Sequence, residues 1–318
     1  MSIQAPARAT GGAEANAALP TSDRQRHAAV AHGPSAFGGS KRRFIELTLT
    51  LARTDFKLRY FGSVLGYFWQ LARPLLFFGV IYVFFTEVLH VDRGVPHYGV
   101  YLLTGIVLWT FFGEATGNAI QSLVAREALL RKVRFPRLAV PLAVTTTSVF
   151  NLCMNSIAVV VFALANGVYP RLSWLWMLPI VLGFVTMALG LGMLLSALYV
   201  RFRDIQPIWE VLLQVLFYAS PIMYVASAYK SLEHLALLNP FALMITQMGH
   251  AFVHPAPYFA TVVTSHGAVR QLQHPMRSAY VAAGGALHVG IAIAIIPAVL
   301  ALGLWYFARE APYFAENL

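Results

Sequence analysis

The chain has 318 residues, of which 58% are hydrophobic and only 11% are charged, whereas a soluble globular protein carries roughly 25% charged residues. Its net charge of +10 does not indicate a nucleic-acid partner, because the basic residues cluster at the ends of apolar stretches, where they serve topology and contact anionic lipid. The composition therefore excludes soluble domains and predicts an all-α, polytopic membrane protein, and the single Cys153 excludes a disulfide framework.

The first segment, residues 1–40, is rich in Ala, Gly, Pro, Ser and Thr and lacks hydrophobic periodicity. This composition predicts a disordered cytoplasmic tail. It contains no apolar core of the kind a secretory signal has, so a cleaved leader is not expected.

Residues 41–62 predict an amphipathic helix. One face carries polar residues at helical spacing, namely Glu46, Thr50, Arg53 and Lys57. The neighbouring stripe is apolar and consists of Ile45, Leu49, Ala52 and Phe56. The segment is too charged to span a bilayer and strongly two-faced, which favours a helix in the membrane interface, with Arg59 and Tyr60 at its end. The alternative is a soluble surface helix.

Six apolar stretches follow, each near the roughly 20 residues that a bilayer requires. The predicted spans are 66–87, 98–120, 138–165, 174–200, 205–225 and 284–308. These spans form a predicted transmembrane domain of residues 63–318, which follows the tail and the interface helix.

The segment 226–283 contains two weaker apolar runs, 235–253 and 258–263. Asn239, Pro240 and Gly249 interrupt the first run. We interpret both runs as re-entrant or interfacial helices on the outer side. A seventh span in the first run is the competing topology, and it would place the C-terminus outside.

The distribution of basic residues sets the orientation. With six spans, most of the 23 Lys and Arg residues fall on one side. Those on the other side are Arg93, Arg171, Lys230, Arg270 and Arg277. Because cytoplasmic loops carry an excess of Lys and Arg, both termini are predicted to be cytoplasmic in the inner membrane.

Sites for catalysis are not evident in the sequence. The chain has no Gly-Lys pair, so it lacks the loop that cradles ATP phosphates, and any ATPase must be another polypeptide. His250 and His254 share a helical spacing, but no Cys or carboxylate stands close to them. We therefore expect no metal site, no cofactor in this chain, and no enzyme activity of the chain by itself.

Two carboxylates, Glu114 and Glu210, lie inside predicted spans, and intramembrane ionisable groups are functional-site candidates. Glu114 also lies within Gly113-x-x-x-Gly117, a spacing that favours helix–helix contact. The aromatic residues Tyr67 and Trp69 open the first span. They are candidates for lining a channel, where rings stack on sugar faces, although membrane-interface packing is the default explanation.

The loop 121–137 between the second and third spans is short, basic and amphipathic. It could enter a groove on a partner while its charges rim that groove, or it could serve topology alone. The residues predicted to couple to a partner are Arg126, Leu129, Arg131, Lys132, Val133, Arg134, Phe135 and Pro136.

Five short motifs occur in order along residues 42–310. They are Lys57-x-Arg59-Tyr60-x-x-Ser63-x-Leu65-Gly66-x-x-Trp69-x-x-x-x-Pro74, Lys132-x-x-Phe135-Pro136-Arg137, Arg203-Asp204-Ile205, Ser220-Pro221-Ile222-x-Tyr224 and Leu238-Asn239-Pro240. In this order the chain resembles the permease subunits of ABC transporters that export lipid-linked O-antigens, capsules and teichoic acids.

The resemblance implies a homodimer of this chain with two ATPase subunits, which bind ATP and Mg. The interface helix and the loop 121–137 would contact the ATPase. Short gate helices would follow the fifth span, with an outer gate formed by Ser220, Pro221, Tyr224, Asn239 and Pro240. The substrate would be a lipid-linked glycan, and membrane lipids would surround the pair.

Two other functions remain as alternatives. An ABC exporter of a small lipid or drug would have a similar architecture. A membrane glycosyltransferase that uses a polyprenyl-phosphate sugar would place a carboxylate in an early outer loop, where Asp92 and Glu87 stand. The chain otherwise lacks a paired acid and base for that chemistry.

Overall fold

The computed structural model describes residues 41–60, 66–90, 95, 97–132, 136–226, 232–253, 259–263, 269–273 and 278–314. The predicted tail 1–40 lies outside this part of the chain, as do Val133, Arg134 and Phe135 of the basic loop. For a few further residues only the helical backbone is described and not the side chain. These are Lys41, Tyr60, Tyr67, Leu129, Arg131 and Lys132.

The described chain is almost entirely helical. Its longer helices are α1 (Lys41–Tyr60), α2 (Gly66–Val83), α3 (Tyr98–Gln121), α5 (Ala139–Ala165), α6 (Met177–Arg201), α7 (Ile205–Ala219) and α11 (Ala286–Glu310). Its short helices are α4 (Glu127–Lys132), α8 (Glu233–Ala236), α9 (Pro240–Met248) and α10 (Ala279–Ala282). Single turns of 3₁₀ or π helix adjoin them at Phe84–Val88, Val124–Arg126, Leu172–Trp176, Gly249–Val253 and Ala311–Tyr313.

Within the part of the chain that the structure describes, five helical segments are long and apolar enough to cross a membrane. Their bounds are Phe68–Val88, Tyr98–Gln121, Ala139–Ala165, Leu172–Arg201 and Ala286–Tyr313. They coincide with the first four predicted spans and the last one, which confirms an all-α polytopic membrane protein.

The predicted fifth span is shorter than expected. Helix α7 has 15 residues and ends at Ala219, so at about 1.5 Å per residue it is about 22 Å long. Pro221 follows one residue after its C-cap, and a proline cannot continue a helix. The predicted residues 220–225 therefore form turns beyond the helix instead of its last turns.

Helix α3 is the centre of the bundle. Its apolar side chains face neighbours on every side, and 72% of the residues in its most apolar 18-residue stretch are buried. It packs chiefly against α5 and α6 and also touches α2 and α7. The main hydrophobic core follows its length, from Tyr98 through Ile106 to Ile120. An apolar helix without a polar face is expected in such a surrounded position.

The two ends of the bundle are distinguished by their side chains. At one end a buried cluster joins Leu123, Leu138, Val200, Phe307 and Phe314. The C-terminal ends of α3, α6 and α11 therefore meet the start of α5 there. We call this the basic end, because the loops that carry most of the basic residues adjoin it. The other end, with Tyr98, Met223 and Phe252, is called the opposite end.

Helices α6 and α11 approach each other at backbone contact. Their meeting point is Gly190 on α6 and Gly303 on α11. A Cβ atom at Gly190 would lie 2.7 Å from the Cα of Leu300, which is too close for any side chain. Small residues allow this close packing of helices within membranes.

The segment 226–283 differs from its prediction in one respect. Its first apolar run contains α8 and α9, and neither is long enough to span. Its second run includes β1 (Phe259–Val263), which pairs antiparallel with β2 (Val269–Gln273), Phe259 facing Gln273. A helix was expected at 258–263, but the β-branched Thr261, Val262 and Val263 favour a strand.

Candidate functional site

A polar cavity opens at the basic end between α1, α3, α5 and α7. Its volume is about 710 Å³, within the roughly 300–1,000 Å³ that is usual for ligand sites. Its charged and amide-bearing lining residues are Asp55, Arg59, Asn118, Gln121, Arg126, Gln206 and Glu210. Trp209 adds an aromatic surface. These groups suit a polar, hydroxyl-rich or charged ligand better than an apolar one.

An ion pair closes one wall of the cavity. The Nη2 of Arg126, in the loop after α3, donates to Oδ2 of Asp55 on α1. The Arg126 and Asp55 side chains are only 17% and 29% exposed, so water screens them less than it screens a surface pair. The pair therefore ties the basic loop to α1.

A chain of amides forms the facing wall. Gln121 at the end of α3 donates from Nε2 to Oε1 of Gln206 on α7. Gln206 in turn donates from Nε2 to Oε1 of Glu210, at 3.1 Å. On the same helix, Trp209 donates from Nε1 to the hydroxyl of Thr116, at 3.0 Å. The start of α7 is therefore held to α3 by polar contacts beside the cavity.

Of the two intramembrane carboxylates, only Glu210 lines this cavity. Glu114 accepts hydrogen bonds from Nδ2 of Asn151 on α5, at 3.0 Å, and from Nε2 of Gln70 on α2, at 3.2 Å. It therefore links α2, α3 and α5, whereas Gly113 and Gly117 line the cavity and a Cβ atom at either would meet no described atom within 4 Å. Trp69, the other described candidate for a channel lining, is 53% exposed on α2.

Helix α1 is anchored to α5 through the second half of its predicted apolar stripe, whereas Ile45 and Leu49 of that stripe are exposed. Ala52 is fully buried, and its carbonyl accepts a hydrogen bond from the hydroxyl of Thr147, at 3.3 Å. The ring of Phe56 packs edge-on against Phe150, with 5.7 Å between centroids. The basic residues of α1 that were predicted to belong to the site are exposed, namely Arg53, Lys57 and Arg59, and Arg59 also lines the cavity.

The basic loop is anchored at both ends. Its helix α4 packs through Leu130, which is 6% exposed in the basic-end cluster. Beyond the half-buried Pro136, Arg137 is only 3% exposed, and its Nη1 has no hydrogen-bond partner among the described residues. Burial lowers the pKa of the Arg137 guanidinium, because a charge is poorly solvated there. The sequence indicated the loop but not this buried cation.

The opposite end is held by tyrosine hydroxyls. Tyr98 donates to the carbonyl oxygen of Met223, at 2.6 Å. Tyr101, one helical turn later, donates to the carbonyl oxygen of Pro221. The turn after α7 is further braced by the hydroxyl of Tyr224, which donates to the carbonyl of Tyr218 at 2.6 Å. Helix α3 therefore fixes the turn that follows α7.

The predicted outer-gate residues lie together at this end. Asn239 caps α9, since its Oδ1 accepts from the backbone N–H of Phe241 at 3.0 Å. Its Nδ2 donates to the hydroxyl of the fully buried Ser220, at 3.4 Å. Pro240 occupies the first turn of α9, where its missing N–H costs nothing. The two separate motifs thus form one contact.

Between the two ends the bundle is closed by packed aromatic rings. Phe241 of α9 lies edge-on to Phe112 of α3, with 4.2 Å between centroids, and also touches Phe184 of α6, at 5.5 Å. Trp109 of α3 contacts Phe217 of α7, at 5.6 Å. Phe112 and Phe184 therefore hold α9 against α3 and α6, whereas Trp109 packs α3 against α7.

Two further predictions concern the histidines and the carboxylates of the first outer loop. No group of three or more metal-ligating side chains occurs within the described ranges. His250 is half-buried, whereas His254 lies outside the described residues. Glu87 is exposed at the end of the first span, and Asp92 also lies outside the described part of the chain.

Several residues of the site were not predicted. Asp55 has a weak signal, because it is the one acid in the second half of a basic helix. Gln121 and Gln206 gave no signal, since a glutamine at a helix end is common. Tyr98 and Tyr101 share a helical face, but their partners lie 125 and 120 residues away, which one sequence does not disclose.

Comparison with known proteins points in one direction. Residues 46–253 match the family model described as ABC-2 type transporter. The chain is 31% identical over 211 residues to the O-antigen export system permease protein RfbA of Klebsiella pneumoniae, covering 66% of this chain and 81% of that protein. It is 32% identical over 203 residues to the protein of the same name from Myxococcus xanthus, covering 63% of this chain and 77% of that one.

Proposed function

This chain belongs to the ABC-2 type transporter family, and we propose that it is the permease subunit of an exporter that moves a lipid-linked polysaccharide out of the cytoplasm. The observation that carries the proposal is the polar cavity at the basic end of the bundle. Relatives of the chain that are named as O-antigen export permeases support it. The five ordered motifs of the sequence support the same substrate class.

In this proposal the basic end faces the cytoplasm and both termini lie there. Positively charged loops are retained on the cytoplasmic side of a membrane. The cavity would then receive the polar head of the lipid-linked glycan, where Gln121, Gln206 and Glu210 offer both donors and acceptors to sugar hydroxyls. The lipid tail would remain in the bilayer.

ATP hydrolysis is assigned to a second polypeptide. The loop 121–137 and the exposed basic side of α1 offer that subunit a docking surface. Because the Arg126–Asp55 pair joins these two elements, a force on the loop would reach the cavity wall. The ATPase would bind ATP and Mg, and this chain would bind neither.

A second copy of the chain is proposed to cover the exposed sides of α2 and α7. These helices are in contact through Phe77 and Phe217, whose rings lie 5.9 Å apart. Their outward side chains include Val80, 72% exposed, and Val215, 57% exposed. A translocation path between two copies would leave the packed core of each copy intact.

The dimer is tested by cross-linking. In a Cys153→Ser background, Val80→Cys or Val215→Cys is expected to give a disulfide-linked dimer in membranes. Leu178→Cys on α6, which is 70% exposed, is the matched control and should stay monomeric. Equal cross-linking at all three positions would contradict the assigned interface.

The export function is tested in inside-out membrane vesicles that contain this chain and its nucleotide-binding subunit. A labelled lipid-linked polysaccharide should become protected from added glycosidase only when ATP is hydrolysed, and not with either subunit alone. Protection of a labelled phospholipid or drug without protection of the glycan would reject the substrate class in favour of a small-molecule exporter.

The coupling role has its own variant. Arg131→Glu combined with Lys132→Glu should abolish substrate-stimulated ATP hydrolysis while leaving the permease in the membrane. Arg171→Glu, an exposed basic residue at the opposite end, should leave hydrolysis unchanged. Normal stimulated turnover in the double variant would exclude these residues from coupling.

A further inference from the structure

A cationic patch lies away from the cavity, where α6 and α11 end. The two helices touch at Gly190 and Gly303 and finish in the same cluster, through Val200 and Phe307. Their last turns therefore lie side by side at the basic end. None of the residues that line the cavity comes from either helix, so the two features are separate.

Three guanidinium groups of this patch lie over aromatic rings. Arg309 lies 5.7 Å from the ring centroid of Trp305, and Arg201 lies 5.4 Å from that of Phe202. Arg203 lies 5.1 Å from the ring of Tyr199. Such stacking positions a guanidinium while leaving its N–H groups free to bind an anion.

The patch is exposed at the depth where a span meets water. Trp305 is 58% exposed and Phe202 is 51% exposed. Phe202 directly follows one candidate span, and Trp305 lies in the second-last turn of α11, near the end of another. Aromatic rings at the ends of spans sit at the level of lipid headgroups. The surroundings of the patch are therefore bilayer interface and not bulk water.

One side of α11 changes from apolar to cationic toward its end. Leu302, Trp305 and Arg309 stand at i, i+3 and i+7 and share a helical face. Leu302 is 50% exposed and Arg309 is exposed as well. This order matches a phospholipid, whose acyl chain, interfacial region and phosphate follow one another in the same direction.

The charges around the patch leave a positive excess. Arg201 is the last residue of α6 and Arg309 stands in the last turn of α11, so the two arginines come from the two helix ends that meet in one cluster. The acidic residues nearby are Asp204 and Glu310, two carboxylates beside three guanidinium groups. The buried Arg137, next to Leu138 of the same cluster, adds a further positive charge at this end.

We propose that Arg201 and Arg309, with Trp305 and Leu302, form a binding site for an anionic phospholipid at the basic end of the α6–α11 pair. The phosphate binds the two guanidinium groups, and the acyl chain lies along Leu302 and Trp305. The ligand is a constituent of the bilayer and not the exported glycan. The site therefore does not depend on which substrate the permease moves.

The test uses the full chain, purified with its nucleotide-binding subunit in neutral detergent. Phosphatidylglycerol, phosphatidylcholine and inorganic phosphate are titrated separately, and bound lipid is counted by native mass spectrometry. Phosphatidylglycerol is expected to bind at least about tenfold more tightly than phosphatidylcholine, because its headgroup carries a net negative charge whereas that of phosphatidylcholine is zwitterionic. Competition by millimolar inorganic phosphate alone would indicate a small-anion site and overturn the lipid assignment.

The residues are tested by matched double variants. Arg201→Gln with Arg309→Gln should remove the preference for phosphatidylglycerol. Arg42→Gln with Arg43→Gln, which removes the same charge from the exposed start of α1, should change it less than about twofold. Equal losses in both double variants would mean attraction to general surface charge and would overturn the site.

A third variant keeps the net charge constant. Trp305→Leu retains Arg309 but removes its ring, so the preference should fall by several-fold. It also provides a readout if the double variant fails to fold. An unchanged preference in Trp305→Leu would exclude the α11 stripe from the site.

Discussion

Helices α2 and α3 are consecutive spans that the sequence hardly distinguishes, and the structure uses them in opposite ways. Their mean hydropathies are 1.6 and 1.3. Yet only 6% of the most apolar 18-residue stretch of the first span is buried inside the chain, against 72% of the corresponding stretch of α3. Lipid tails are as apolar as a protein core, so hydropathy indicates only that a helix can enter the membrane and not what surrounds it.

The two helices differ in which polar groups they carry. Helix α3 bears hydroxyl and carboxylate groups that bind other elements, such as Tyr101 to the turn after α7 and Glu114 to α5. The middle of α2 exposes Leu76 and Val80. A polar side chain inside a membrane is costly unless it is paired, so polar residues mark the helix that others pack around.

The largest expected effect comes from removing a ring of α3. Phe112→Ala deletes a fully buried side chain that contacts Phe241 and Trp209, and such changes cost about 3–5 kcal/mol. The melting temperature of the detergent-solubilised chain should fall by many degrees. Phe84→Ala, in the turn that ends the first span and 49% exposed, is the control. Similar decreases in melting temperature at both positions would contradict the difference in packing between the two spans.

The next effect concerns the link between α1 and the loop after α3. Asp55→Arg alone, or Arg126→Asp alone, should lower ATP-driven transport by about tenfold or more, since each leaves like charges facing each other in a site of low exposure. The double exchange restores opposite charges and should recover most of the rate. A double variant no better than either single one would show that the pair has no part in the coupling.

A smaller effect is expected for the tyrosine at the opposite end. Tyr101→Phe leaves the buried carbonyl of Pro221 without its donor, which costs about 1–3 kcal/mol. Amide hydrogen exchange should rise at 220–224, where the turn after α7 is braced. Tyr82→Phe on α2, whose side chain is 37% exposed, should leave exchange there unchanged. Unaltered protection in Tyr101→Phe would remove α3 as the support of this turn.

The smallest effect is expected at Glu114. Glu114→Gln keeps one amide hydrogen bond to Asn151 or Gln70 and loses the other, a change of about 1 kcal/mol. Transport should remain near the normal rate, since the side chain joins helices and does not line the cavity. Glu210→Gln, within the cavity, is the comparison and should affect the KM for the glycan. A loss of transport in Glu114→Gln without loss of stability would assign it a direct role.

Much of the architecture could be predicted from local pattern. The uncharged runs predicted the bounds of five spans to within a few residues. The spacing of Ala52 and Phe56 indicated the side of α1 that packs on α5. The early end of α7 was missed, although Ser220-Pro221 carries the signal, because apolar residues continue beyond it. The strand at Phe259–Val263 was missed because a short apolar run does not distinguish helix from strand.

The candidate site was less accessible from the sequence. The predicted outer-gate residues do lie together, because two of the motifs, at Ser220 and Asn239, meet through one hydrogen bond. The cavity walls depend on contacts such as Gln121 to Gln206, 85 residues apart. No periodicity encodes a pairing of that kind, since it arises only when α7 is placed against α3. For the same reason, the sequence did not determine which apolar span lies at the centre of the bundle.

The contact of Gly190 with Gly303 bears on how the protein moves. Because a backbone rests on a backbone there, no side-chain layer separates α6 from α11 at this point, and sliding of one helix past the other is opposed. During a transport cycle the two helices should translate as one rigid body. The displacements that open and close a path are then left to the loosely packed helices α2 and α7. Spin labels on α6 and α11 should keep a constant distance through ATP turnover, whereas labels on α2 and α7 should not.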